Sequence, residues 1–282
     1  MLDNTIEKYK LPQWVKPYIV DYIKENPINA IKKGMSFIDV KRKKGLISKG
    51  YVELPNGIRF EMNFVAEILN QFYYGEKSIS DIYERWSKSN YNLDRGYSEG
   101  FRRLSILSKK HMRAIKNLID GMEMKDIGAT TGTLKLLDFI EHLETIEERI
   151  LISGLILRYT YAQTFGMIFY KVFYPTAPEF MRSFGKALSA DNKTMQWLDS
   201  ELRYILQHND RDRNLASVKN MLSVAAECID TELPSAKRSN IEKEFLLLRN
   251  ISVAYPLHVM KEYDYDINPE TEARLIFKNK KH

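Results

Sequence analysis

Apolar residues recur at helical spacing along most of this chain. Phe64, Ile68, Phe72, Ile79, Ile82, Tyr83 and Trp86 form one stripe, which predicts a helix over about Asn63 to Ser87. After a turn at Asn90 to Gly96, Phe101, Leu104, Leu107, His111, Ile115 and Leu118 form a second stripe. They predict a helix from about Tyr97 to Gly121, where the glycine is a natural stop. The longest apolar run, Glu147 to Tyr174, is charged only at its ends and at Arg158. It reads as a buried central helix that other helices must cover on most sides. Arg158, Thr160, Gln163 and Thr164 near its middle would each be costly in lipid, which argues against a membrane span.

The remaining elements are shorter. Met122 to Gly132 is a connector, Thr133 to Leu143 a short helix in a long crossover, and Pro175 and Pro178 close the central helix. A helix is expected over about Glu179 to Gln207, a polar break over His208 to Arg213, then helices over Leu215 to Asp230 and Asn240 to Lys261, and a polar tail of low order. Residues 1–31, broken by Pro12, Pro17 and Pro27, form an irregular arm with Trp14, Tyr18 and Tyr22 available to dock on the body. Strand is allowed in one place, YVELPNGIRFEM, whose alternation and Pro-Asn-Gly centre resemble a hairpin or an irregular turn. The expected divisions are an arm and basic segment over 1–61, a bundle core over 62–208 and C-terminal helices over 209–282.

Composition narrows the function classes only a little. A net charge of +6 with both signs interspersed does not require a nucleic-acid or membrane partner. A single cysteine, Cys228, cannot form an intrachain disulfide, and no charged-then-apolar signal segment opens the chain, so a cytoplasmic protein is expected. Phosphate-binding glycine loops, the Gly-x-Ser-x-Gly nucleophile turn, paired Cys-x-x-Cys and His-Glu-x-x-His are all absent from the sequence.

One internal match carries chemistry. YGEKSISDIYERW, Tyr74 to Trp86, aligns without gaps on YAQTFGMIFYKVF, Tyr161 to Phe173, placing Glu76 over Gln163 and Tyr83 over Tyr170. Ser108-Lys-Lys-His111 follows Glu76 at a distance that allows a helix end, a turn and an antiparallel return. A glutamate on one helix facing Glu-x-x-His on its antiparallel neighbour, with the pair repeated after a long crossover, resembles the ferritin-like di-iron carboxylate bundle. Residues three apart share a helix face, so such a carboxylate and imidazole reach one metal pair. LSKKHMRAIKNLI is similar to the second helix of such proteins and ALSADNKTMQWL to the fourth.

That resemblance implies an all-α protein, a ferritin-like antiparallel four-helix bundle with extra C-terminal helices and the irregular N-terminal arm. It also implies a vestigial metal site at Glu76, Ser108, His111, Gln163, Asn192 and Met195, with Met195 and Leu198 replacing Asn192 and Met195 if the register slips by three. Ser108 and Gln163 stand where carboxylates are needed, and hard cations select carboxylates over amides and thioethers. The expected function is therefore a non-catalytic structural or partner subunit, without cofactor, acting with a protein partner or as a homo-oligomer. Tyr74, Tyr161 and Tyr170 are candidates to fill the vacated centre.

Two alternatives come from other residues. An active oxidase or oxygenase would need iron or manganese held by shifted ligands drawn from Glu67, Glu76, His111, Glu141, His142, Glu147 and Glu148. A nucleic-acid-binding protein would use Lys41, Arg42, Lys43 and Lys44 with the cations of the second helix, although those spread around the helix as a solvated exterior does. Asp138, Glu141 and His142 form an acidic cluster with few convergent ligands; Cys228 reads as a buried structural thiol, and His208 and His258 as histidines without an evident partner.

Overall fold

Two long helices, α1 (Met62–Ser87) and α2 (Tyr97–Gly121), form an antiparallel hairpin. Contacts run in opposite order along the pair: Trp86 meets Phe101, Lys109 reaches Glu84, Glu76 reaches His111, and Leu69 clusters with Ile115 and Ile119. The computed structural model describes residues 12–18, 51–53, 59–91, 95–121, 123–160, 192–238 and 242–278. Within them α1 and α2 occupy the spans their apolar stripes predict. Ahead of α1, β1 (Tyr51–Glu53) pairs antiparallel with β2 (Arg59–Glu61), with Val52 opposite Phe60. Apart from this hairpin the described elements are helical, so the protein is all-α.

The crossover is ordered by caps. Thr130 accepts from Thr133 N at 3.3 Å and starts α3 (Thr131–Glu141) two residues earlier than the apolar pattern suggests. α3 lies close on α6 (Arg211–Asp230), because a Cβ at Gly132 would sit 2.7 Å from the Thr231 side chain that follows α6. α4 (Ile146–Leu151) opens on a reciprocal capping box between Thr145 and Glu148. The chain then departs from α geometry. Residues 152–160 form a π-helical run, in place of the one continuous α-helix that the apolar run predicts; the remainder of that run and its closing prolines, Pro175 and Pro178, lie outside the described residues. A π turn closes i→i+5 hydrogen bonds and holds more residues, so positions after it face directions that 3.6-residue spacing does not assign. Arg158, the one internal charge of the apolar run, pairs with Asp199 of α5 (Asn192–His208).

α5 packs against α2 and α4, and Gly100 of α2 is what admits the Trp197 ring. Arg95, just before α2, closes this corner: it donates to both carboxylate oxygens of buried Glu201, at 2.7 and 3.3 Å, and its guanidinium lies 3.6 Å from the Tyr204 ring centroid. Asp210 accepts from Asp212 N and Arg213 N, so α6 begins at Arg211, ahead of the expected Leu215. A short α7 (Leu233–Arg238) precedes α8 (Glu242–Lys261).

The chain beyond Lys261 corrects the expectation of a loose tail. It forms α9 (Pro269–Lys278), with Tyr265, Ala273 and Ile276 buried. The Tyr265 hydroxyl donates to Leu206 O at 3.1 Å and accepts from Asn214 Nδ2 at 2.9 Å, while Lys219 pairs with Glu272 at 2.7 Å. Partners from α5 and α6 thus hold a segment whose own sequence is mostly polar. Trp14 of the N-terminal arm docks as expected, stacking on His258 with centroids 4.0 Å apart and packing on Tyr255; Tyr22 lies outside the described residues. One continuous core, including Phe101, Ile150, Leu155, Leu198, Leu222 and Leu257, runs across the boundary drawn at 208. No helix among the described residues is long and apolar enough to cross a membrane.

Candidate functional site

The pair that the antiparallel return brings together is present. Glu76 Oε1 lies 2.9 Å from His111 Nδ1, with side-chain exposures of 20% and 9%. The carboxylate accepts and the ring nitrogen donates, so each polar group offsets the desolvation of the other. His111 Nε2, on the other side of the ring, is buried without a hydrogen-bond partner. Ser108, one turn earlier on α2, is buried beside them.

These side chains line a cavity of about 220 Å³ in the centre of the helices. α1 contributes Ile79 and Tyr83, α3 Leu136 and Leu137, the π run Ser153 and Arg158, α5 Met195 and Leu198, and the α6 end Cys228 and Glu232. Tyr83 donates to Ser153 Oγ at 3.1 Å, and Ser153 donates to Arg149 O at 2.7 Å. Burial pushes the Tyr83 hydroxyl pKa up, only partly offset by the Ser153 bond, so it stays a neutral donor. Glu232 is the second carboxyl of the cavity. Burial, helped by the charge of Glu67 and opposed by the Thr130 hydroxyl, raises its pKa to about 7, and its Oε1 has no hydrogen-bond partner.

Of the residues expected at the vestigial centre, Glu76, Ser108, His111 and Met195 share this cavity. Gln163, Tyr161 and Tyr170 lie outside the described residues. Asn192 is a correction: it is exposed in the first turn of α5, and the pair facing inward is Met195 with Leu198. Thr194, Leu198, Glu201, Leu202 and Ile205 set the buried face of α5. Tyr74 is another correction, since its hydroxyl donates outward to Asp126 at 2.9 Å and does not fill the centre.

The shifted ligand set does not converge. Among the described residues no three of His, Cys, Asp and Glu come together to hold a metal ion. Glu141 pairs with Arg85 at 2.7 Å, His142 bonds Asp138 O at 2.7 Å, Glu148 caps its own helix, and Glu67 lies 3.7 Å from Arg238. Four of the α2 cations are also engaged with carboxylates: Arg102 and Arg103 on Glu99, Lys109 on Glu84, Lys116 on Asp120. Residues 41–44 lie outside the described residues.

His258, without an evident partner in the sequence, bonds Glu270 at 2.9 Å, and burial lowers its pKa despite that carboxylate. Cys228 is buried as expected, 3.7 Å from Thr133 Oγ1, and also reaches the cavity. Glu232 had no sequence signal; its place in the cavity comes from where the α6 end meets α1 and α8. The fold and site define an all-α helical protein with a half-open, mostly apolar cavity between its helices. No family model, curated protein or solved structure matches this chain.

Proposed function

We propose that this protein is a non-catalytic helical bundle of ferritin-like type, in which α1, α2, α4 with the π run that follows it, and α5 surround a centre that no longer holds metal. The observation that carries this reading is the Glu76–His111 bond at 2.9 Å. A di-iron centre needs several carboxylates to balance its charge, and here the one glutamate and one histidine at the expected places are hydrogen-bonded to each other through Nδ1. Ser108 and Met195 beside them offer a hydroxyl and a thioether, which hard cations select against. Such a protein acts through its surfaces, as a structural or partner subunit.

The test is metal content. Protein produced with iron and manganese supplied, and purified without chelator, is expected to carry far less than one equivalent of either per chain. Two tightly bound equivalents would overturn the proposal and favour the oxidase reading.

A further inference from the structure

The central cavity has the form of a binding site in its own right, whatever the ancestry of the bundle. Its walls are mostly aliphatic, and an apolar cavity of about 150 Å³ stays dry and accepts benzene. At about 220 Å³ this one suits a body of roughly eight to twelve non-hydrogen atoms. The chemistry at its edge is set by His111, which is 7% exposed and has one ring nitrogen committed to Glu76. The other, Nε2, is buried and unpartnered. A neutral ring would accept there and a charged ring would donate, and a hydroxyl answers both. A carboxylate ligand would instead meet Glu76 and Glu232, both of which line the space, while Arg158, which also lines it, is already paired with Asp199. An apolar hydrocarbon would leave Nε2 unsatisfied, at the cost that attends any buried unpaired polar atom.

We propose that this cavity binds a compact apolar alcohol or phenol, its hydroxyl hydrogen-bonded to His111 Nε2 and its hydrocarbon body packed between α1, α2 and α3. Leu104, Leu107, Leu136, Leu137 and Ile79 supply the apolar contact. Glu232, unpartnered at Oε1, gives a second polar position for a ligand that carries a further donor.

Calorimetric titration of the full chain with 4-propylphenol, propylbenzene and 4-propylbenzoate tests the assignment. The phenol is expected to bind about tenfold more tightly than either of the others, the worth of one satisfied buried hydrogen bond. In His111→Leu the advantage of the phenol over the hydrocarbon is expected to fall within about threefold. Should that variant fail to fold, the His111 ring nitrogen resonances of the unmodified protein decide: phenol shifts Nε2 and propylbenzene does not. Absence of phenol binding up to about 1 mM, equal affinity for phenol and hydrocarbon, an undiminished preference in His111→Leu, or an unmoved Nε2 resonance overturns the proposal. None of these outcomes depends on metal content.

Discussion

The Glu76 carboxylate and the His111 imidazole, 35 residues apart in the chain, meet at 2.9 Å across the α1–α2 interface. Both are largely buried, so removing either leaves the other desolvated and unpaired, whereas removing both leaves no orphaned charge. A double-mutant cycle of Glu76→Leu and His111→Leu, followed by urea unfolding, is expected to give a coupling of about 1–3 kcal/mol, with the double variant less destabilised than the two single losses added together. Strict additivity would show that the two groups are not bonded in solution.

Glu232 makes stability depend on pH in the opposite sense to a salt-bridged carboxylate. Its folded pKa, about 7, lies above the usual value of an unfolded glutamate, so between about pH 4.5 and 7 the native state binds more protons than the unfolded state. Stability from this group is therefore fully present below the unfolded pKa and is lost as pH rises through 7. Glu232→Gln is expected to flatten that part of the profile and to gain roughly 1–3 kcal/mol at pH 8 relative to the parent. Equal gains at pH 5 and pH 8 would show that the carboxyl does not titrate abnormally.

Two glycines on neighbouring helices should respond in opposite ways to alanine. A Cβ on Gly100 would enter the Trp197 ring, whose indole N–H donates to Arg95 O at 3.4 Å, so Gly100→Ala must push α5 away from α2. The expected loss is about 1–3 kcal/mol, with a change in tryptophan fluorescence as the ring moves. Gly75, inside α1, has nothing within 4 Å of the place a Cβ would take, and alanine there removes only backbone freedom from the unfolded chain. Gly75→Ala is expected to raise stability by about 0.5–1 kcal/mol in the same unfolding assay, and a loss would show that the cavity beside it does not have room for a methyl group.

Local pattern was enough to place α1 and α2 because their signals lie within the helices themselves: apolar residues every three or four positions, and Gly121 at the end. It also allowed Glu76 to meet His111, since a short turn between two long helices permits an antiparallel return at that spacing, although the pairing itself was what the ferritin-like resemblance implied. The caps at Thr130, Thr145 and Asp210 are equally local, although the apolar stripes alone place the starts of α3 and α6 two to four residues late.

What the sequence could not reveal are features decided by partners far along the chain. Whether Asn192 or Leu198 faces inward depends on which side of α5 the α2 corner covers, and Gly100, Trp197 and the Arg95–Glu201 pair settle that across a separation of 106 residues. The π run has no periodic signature, because its residues are apolar on nearly every side. α9 looks like a polar tail until Tyr265 finds Leu206 and Asn214, and Glu232 is an ordinary helix-end glutamate until the packing of α6 places it in the cavity and raises its pKa. Helix formation answers to neighbours three and four residues away, while burial, charge and cavity shape answer to whatever the fold brings near.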